Sequence, residues 1–164
     1  MDGGKAILYI YEDEKSGFTI RMRDLATSSE RELYRGARLR DLALSFDERV
    51  LAFVSASAER DALLTMPASG GDPRQVASVP AGGISGVEWS RDNSHLLIST
   101  PSKPVAGLWR VSAEGGQPER LRVALDRQGG VRLHPDGRRI AFARGAIQSE
   151  VWRMDLTSLL APRR

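Results

Sequence analysis

The sequence contains no cysteine among its 164 residues, which excludes a disulfide framework and any cysteine-ligated metal site. Its apolar runs are much shorter than the ~20 residues that a helix needs to cross a membrane, so no membrane insertion is expected. The first residues also lack the basic and then apolar segments of a secretory signal. These absences predict a cytoplasmic chain, or a periplasmic one if it belongs to a longer protein with an export or membrane segment.

Lysine and histidine are scarce, because 21 of the 24 basic residues are arginine and only two histidines are present. The arginines are scattered along the chain and leave a net charge of +3. A nucleic-acid surface requires a basic stripe with aromatic residues for base stacking, so we predict no nucleic-acid partner. The composition, 41% hydrophobic and 27% charged, is that of a globular domain.

A repeat organises the sequence. Turn aspartates recur at Asp2, Asp47, Asp92 and Asp136, with separations of 45, 45 and 44 residues. An apolar segment follows each aspartate, and these segments are Ile7–Ile10, Val50–Val54, Leu96–Ile98 and Ile140–Phe142. Aspartate favours tight turns, and short apolar runs between turns indicate buried strands. A period of this length with several strands per repeat is typical of β-propeller blades.

The two central repeats each predict four strands. The strands of the second repeat are Leu39–Ser45, Val50–Ser55, Ala62–Met66 and Arg74–Ala77, and those of the third are Ser85–Ser90, His95–Ser99, Gly107–Val111 and Glu119–Val123. The second strand of each repeat is apolar on both faces, which indicates a sheet that is covered on both sides. The fourth strand is polar, as suits an outer edge.

The terminal repeats are incomplete. The first contains strands Ala6–Tyr11, Phe18–Asp24 and Glu30–Tyr34 without an inner strand, and the fourth contains Gly130–Leu133, Arg139–Ala143 and Glu150–Met154 without an outer strand. We therefore predict an all-β fold of about four antiparallel sheets, with approximate blades 1–35, 36–79, 80–125 and 126–164 in one domain 1–164. The expected arrangement is an open arc, the C-terminal part of a larger propeller.

The fourth repeat carries a resemblance to a known family. Its segment Pro135-Asp136-Gly137-Arg138-Arg139-Ile140-Ala141-Phe142, followed by Glu150-Val151-Trp152-Arg153-Met154-Asp155, resembles the PD40 repeat, the WD40-like repeat of the TolB propeller family. The earlier repeats depart from this pattern. Phe46 and Arg91 stand where the family has proline, and Glu48 and Asn93 stand where it has glycine. The resemblance implies a bacterial propeller, a fold that by itself specifies no activity.

The motifs argue against catalysis. The segment Gly83-Ile84-Ser85-Gly86-Val87 is nearest to the G-x-S-x-G nucleophile elbow, but it has valine at the final glycine position and precedes a predicted strand. His95 and His134 have no metal-ligand spacing and are interpreted as turn residues. We predict no catalytic residues, no metal site, no cofactor and no enzymatic activity.

Three functions remain from the sequence. The preferred one is a non-catalytic TolB-like propeller module that mediates protein–protein interaction or ligand sensing. The alternative is an accessory propeller of a prolyl-oligopeptidase-like serine hydrolase whose catalytic domain lies elsewhere. The resemblance is also compatible with a small sugar- or peptide-binding protein.

A partner site is expected where the inner strands line the centre of a propeller. The candidate residues, near the rim or on predicted inner strands, are Arg38, Arg40, Asp41, Glu88 and Arg132. In an open arc the end blades would also leave apolar faces uncovered, one with Ile7 and Tyr9 and the other with Ile140 and Phe142. Such patches promote association, so we expect homo-oligomers, or a requirement for the missing propeller blades.

Overall fold

The computed structural model describes residues 5–13, 17–80, 82–101, 106–122, 128–134, 136–137 and 139–144. Within these ranges the chain forms strands and turns and contains no helix. The strands make separate antiparallel sheets of two to four strands each. This confirms the all-β architecture that the repeated apolar segments predicted.

Thirteen strands are present in this part of the chain. They are β1 Ala6–Asp13, β2 Gly17–Asp24, β3 Glu30–Gly36, β4 Leu39–Leu44, β5 Val50–Ala56, β6 Arg60–Pro67, β7 Arg74–Pro80, β8 Gly86–Trp89, β9 His95–Thr100, β10 Gly107–Ser112, β11 Glu119–Leu121, β12 Gln128–Leu133 and β13 Ile140–Arg144. The predicted strands recur here with shifted ends. For example, β6 begins at Arg60 instead of Ala62, because Arg60 and Asp61 continue the ladder with Pro80 and Val79.

The sheets follow the order of the chain. The first contains β1–β2–β3, the second β4–β5–β6–β7, the third β8–β9–β10–β11 and the fourth β12–β13. Among the described residues the first sheet thus contains three strands and no inner strand, as predicted. The predicted strand Glu150–Met154 and the first turn at Asp2 lie outside the described residues.

The turn between the inner and second strands is the same in three sheets. The amide of Ser45 donates to Val50, that of Ser90 to His95 and that of His134 to Arg139, each bond being 2.8–2.9 Å long. One residue in each turn has a left-handed backbone: Glu48 at φ 60°, Asn93 at 59° and Gly137 at 69°. The two departures from glycine therefore keep the turn conformation, although a left-handed residue with a side chain is strained.

The second strands form the centre of the core, as their apolar sequences predicted. All four residues from Leu51 to Val54 are fully buried. Leu51 and Phe53 belong to a cluster shared with the first sheet, whereas Ala52 and Val54 belong to a cluster shared with the third. Because each large apolar side chain buried this way contributes about 1.5–3 kcal/mol, the stacking of sheets is the main source of stability.

The sheets form an open series. The inner strands β4, β8 and β12 lie next to one another, and β1 and β2 contact β4. No strand of the first sheet makes an extended contact with β12 or β13 in the described ranges. The ring is thus not closed by this part of the chain, in agreement with the predicted open arc.

The outer face of the first sheet is exposed but more polar than predicted. Ile7 is 46% exposed and Tyr11 is 42% exposed, while Tyr9 is half-buried. Beside them stand Arg21 and Arg23, which form ion pairs with Glu30 at 3.6 and 3.5 Å. The guanidinium of Arg21 also lies 4.4 Å from the centre of the Tyr11 ring. At the other end, Ile140 is half-buried, and the side chain of Phe142 lies outside the described part of the structure.

Candidate functional site at the inner rim

A bulge at the start of β4 shapes the site. The pairing of β4 with β5 shifts between Arg40 and Ala43, and Asp41 within this bulge has a left-handed backbone with φ 53°. Aspartate tolerates this conformation better than most residues. A β-bulge re-aims side chains next to it, and this one includes Arg40 and Asp41, two of the five charged residues that the sequence singled out.

Arg40 is anchored by a buried carboxylate. Nη2 of Arg40 donates to Oδ2 of Asp61, and the same oxygen accepts the Ile84 amide at 3.0 Å. The Asp61 side chain is fully buried, whereas that of Arg40 is 38% exposed. Asp61 therefore joins β6, the inner strand β4 and the segment that leads into the third sheet. The charge of Arg40 offsets part of the cost of burying the Asp61 carboxylate.

Two atoms of this pair have no hydrogen-bond partner within the described residues. They are Oδ1 of Asp61 and Nε of Arg40, and both are buried. A buried polar atom without a partner is costly. Sequence reasoning missed Asp61, because an acidic residue at the end of a polar hairpin is usually exposed. No pattern in the sequence distinguished it.

The second ion pair joins adjacent inner strands. Nη1 of Arg132 on β12 lies 3.1 Å from Oε1 of Glu88 on β8, with the arginine side chain 70% exposed and the glutamate 21%. These two residues take equivalent ladder positions, since Glu88 pairs with Leu97 and Arg132 with Ala141. The ladder position equivalent to these on β4 is Ala43, opposite Ala52.

Burial controls the protonation of the carboxylates at this rim. Desolvation raises the pKa of Asp41 above its ordinary value of 3.8, against the opposing charges of Arg40 and Arg132. Desolvation likewise raises the pKa of Glu88 above 4.5, against the charge of Arg132. Arg132 thus acts electrostatically on both carboxylates, and Asp61 adds a repulsion that raises the pKa of Asp41 further.

The structure brings four of the five predicted partner residues together. Arg40, Asp41, Glu88 and Arg132 form one charged group at the inner strands of three sheets, and we name this group, with Asp61, the inner-rim cluster. Arg38 is exposed just before β4, and its carbonyl accepts the Ala56 amide at 2.9 Å. Whether a partner binds these residues stays a prediction.

The serine considered as a nucleophile lies between strands. Oγ of Ser85 is 3.1 Å from Oγ of Ser99, and Ser85 lies directly before β8 and not at a strand-to-helix turn. Both histidines lie beside turns: His95 begins β9, with Nδ1 2.6 Å from Oγ of Ser94, and His134 follows β12, with Nδ1 3.1 Å from Oδ2 of Asp136. Among the residues described, no group of three acidic or histidine side chains could hold a metal ion.

Solved structures of similar architecture identify the fold. The chain superposes on TolB from Acinetobacter baumannii with a TM-score of 0.75 and 18% identity over 88% of its length. It superposes on a putative TolB from Agrobacterium tumefaciens with a TM-score of 0.72 and 15% identity over 85% of its length. The fold is a β-propeller arc. The chain spans 36% and 50% of the lengths of these two proteins.

Enzymes also contain this propeller architecture. A puromycin hydrolase superposes with a TM-score of 0.56 and 20% identity, over 79% of this chain and 26% of the hydrolase. No protein-family model matches the sequence, and no curated protein matches it either. Identities this low establish the fold alone. The ranges described by the structure hold no helix long and apolar enough to cross a membrane.

Proposed function

We propose that this chain is a non-catalytic propeller module that binds a protein partner at its inner-rim cluster. The observation that carries the proposal is the convergence of Arg40, Asp41, Glu88 and Arg132 from three inner strands. The likeness to TolB supports the propeller scaffold for such a site. Binding residues in repeat folds are commonly displayed on one surface by a rigid framework.

The chemistry of the cluster favours a partner segment of mixed charge. Asp41 and Glu88 are half-buried carboxylates whose burial raises their pKa values. A lysine or arginine from a partner would supply the opposite charge that their desolvated ionised forms need. The guanidinium of Arg132, 70% exposed, can donate paired hydrogen bonds to a partner carboxylate.

Peptide titration with NMR detection tests this proposal. The probes are two synthetic hexapeptides of equal length, one with a lysine and a glutamate and one with serine at both positions. We expect the charged peptide to shift amide signals of β4, β8 and β12, and the serine peptide to leave them unchanged. Glu88→Gln or Arg132→Gln should each raise the dissociation constant of the charged peptide about tenfold, which corresponds to about 1.4 kcal/mol of binding free energy.

A matched variant controls for the loss of any surface charge. Arg110 forms an ion pair with Glu119 between β10 and the outer strand β11, away from the inner strands. Arg110→Gln should leave peptide affinity unchanged. The proposal fails if neither peptide binds, or if Arg110→Gln weakens binding as much as the inner-rim variants do.

The second candidate is an accessory propeller of a serine hydrolase, and the likeness to puromycin hydrolase favours it. In that case the catalytic domain would be part of a longer protein, and this chain alone would still lack turnover. Assay of the purified chain with ester and peptide substrates tests the non-catalytic proposal in both cases. Steady turnover that Ser85→Ala abolishes would overturn it.

A further inference from the structure

The ion pair between Arg40 and Asp61 is not required by the sheet architecture. The register of the paired strands places Phe18 of β2 and Ala106, directly before β10, at the positions equivalent to Asp61. On the inner strands, Gly86 of β8 is the equivalent of Arg40. The same kind of sheet therefore forms with uncharged residues at both positions. Since replacing a buried ion pair by uncharged residues is often neutral or stabilising, the fold gives no reason for this pair.

The pair is also incompletely hydrogen-bonded. Oδ2 of the fully buried Asp61 accepts bonds from Nη2 of Arg40 and from the Ile84 amide. Oδ1 of Asp61 and Nε of Arg40 are buried and have no hydrogen-bond partner within the described residues. Unpartnered buried polar atoms lower the stability of a folded protein, and such departures from an ideal core are expected at functional sites.

Asp61 determines how Arg40 can meet a ligand. Because Nη2 of Arg40 is bonded to Asp61 and Nε is buried, Nη1 is the nitrogen left for a ligand, in a side chain that is 38% exposed. The charges of Arg40 and Arg132 both act on Asp41, so the two guanidinium groups serve the same part of the rim. A side chain that is already held in place loses little conformational entropy when it binds a partner.

We propose that Arg40 is a second receptor, beside Arg132, for acidic groups of the partner, and that Asp61 is its positioning residue. This assignment rests on the proposed function, because it divides the roles within the same site. Nη1 of Arg40 donates to a carboxylate of the partner. Asp61 does not touch the partner, because its side chain is fully buried, and it acts only through Arg40.

Asp61→Asn separates positioning from charge. The asparagine amide oxygen can still accept the bond from the Ile84 amide, but the neutral side chain no longer anchors the guanidinium of Arg40. Loss of a negative charge by itself would favour an acidic ligand. We expect the opposite result in the NMR titration with the hexapeptide that contains lysine and glutamate. Its dissociation constant should rise about threefold to tenfold, since binding must now immobilise the Arg40 side chain.

The double variant Arg40→Met/Asp61→Asn removes both charges with little change in side-chain size. Because other sheets have uncharged residues here, its urea midpoint should equal that of the wild type. In the wild type, replacing the glutamate of the peptide by glutamine should raise the dissociation constant about tenfold, and in the double variant only about threefold. Arg110→Met/Glu119→Gln removes an ion pair from β10 and β11. This matched control should keep the full tenfold effect.

Failure of this assignment can be told apart from failure of the proposed function. If the wild type does not bind the charged peptide, both are wrong. If it binds, but Asp61→Asn binds equally well or better, Asp61 does not position Arg40. A double variant that keeps the full effect of the peptide's glutamate would remove Arg40 from recognition. A double variant that unfolds, or whose urea midpoint falls sharply, would make the pair a requirement of the fold. Circular dichroism verifies folding, and the double variant carries the test if Asp61→Asn alone unfolds.

Discussion

Asn93 links the turn of the third sheet to that of the second, because its Oδ1 accepts a hydrogen bond from the backbone amide of Phe46 at 2.7 Å. The bond spans 47 residues of sequence. Next to it, the guanidinium of Arg91 lies 4.8 Å from the centre of the Phe46 ring. Phe46 and Arg91, which stand where the PD40 repeat has proline, and Asn93, one of the two residues that stand where it has glycine, thus form contacts between the two sheets.

Replacement of Asn93 tests this link. Asn93→Ala removes the acceptor and places alanine at φ 59°, so we expect a loss of about 1–2 kcal/mol in unfolding free energy. Asn93→Asp keeps both the acceptor and the tolerance for a left-handed backbone, and it should be nearly neutral. Urea denaturation measures both, and equal losses would show that the hydrogen bond contributes nothing.

Phe53 should be among the most sensitive core positions. Its side chain is fully buried, and its ring centre lies 5.1 Å from that of Tyr34 in the first sheet. Phe53→Ala should cost about 3–5 kcal/mol through lost burial and the cavity left behind. Leu25→Ala at an exposed turn is the control and should change stability by less than about 0.5 kcal/mol. A near-neutral Phe53→Ala would contradict the blade register. The repeat places Phe142 at the equivalent position of the fourth sheet, so we expect the same loss for Phe142→Ala, although the side chain of Phe142 lies outside the described ranges.

The turn aspartates predict loss of stability in acid. Oδ1 of Asp92 accepts bonds from the hydroxyls of Ser90 and Ser94 at 2.6 and 2.7 Å, and these bonds hold its pKa well below 3.8. The hydroxyl of Ser45 lowers the pKa of Asp47 in the same way. Since the folded pKa lies below the unfolded one, this stabilisation is present above about pH 4 and is lost as the pH falls.

Thermal unfolding measured from about pH 6 down to pH 2 tests this acid sensitivity. Asp92→Asn should lower the melting temperature at pH 6 and flatten its decline in acid. Asp72→Asn, which removes one charge from an exposed loop, is the control. If the melting temperature falls equally steeply with decreasing pH in the wild type and in Asp92→Asn, the Asp92 turn does not cause the acid sensitivity. Asp41 and Glu88 have the opposite effect on stability, because burial in the folded protein raises their pKa values above the ordinary ones. Their contribution to folding stability is therefore present at low pH and is lost as the pH rises.

Association of the isolated chain should depend on the outer face of the first sheet. Ile7 and Tyr11 are exposed there, and exposed apolar patches favour association. We expect Ile7→Lys to reduce self-association in analytical ultracentrifugation and to lower binding of a hydrophobic dye. Leu25→Lys matches it in exposure but lies in a turn, and it should change neither. A wild-type chain that is monomeric at high concentration would contradict this expectation.

The sequence predicted the strands and turns well because their causes are local. The turn bond between Asp92 and Ser94 joins residues only two positions apart. The run from Leu51 to Val54 is apolar at every position, which by itself indicates a strand that is covered on both faces. The predicted exposed face was only partly right, since Arg21 and Arg23 lie beside Ile7. Arg23 lies opposite Ile7, and Arg21 lies opposite Tyr9, because of the register in which β1 pairs with β2. The pattern of apolar residues in the sequence does not reveal that register.

The amino-acid sequence by itself determined the repeat, the apolar second strands and the turns, because hydrogen bonding and hydrophobic periodicity act between near neighbours in the chain. Only the tertiary structure decided that Asp61 holds Arg40, that Arg132 acts on both Asp41 and Glu88, and that Leu42 remains half-buried. These relationships depend on the β-bulge in β4 and on the stacking of separate sheets. Both bring together residues from different repeats, and no local pattern encodes which side chains meet there.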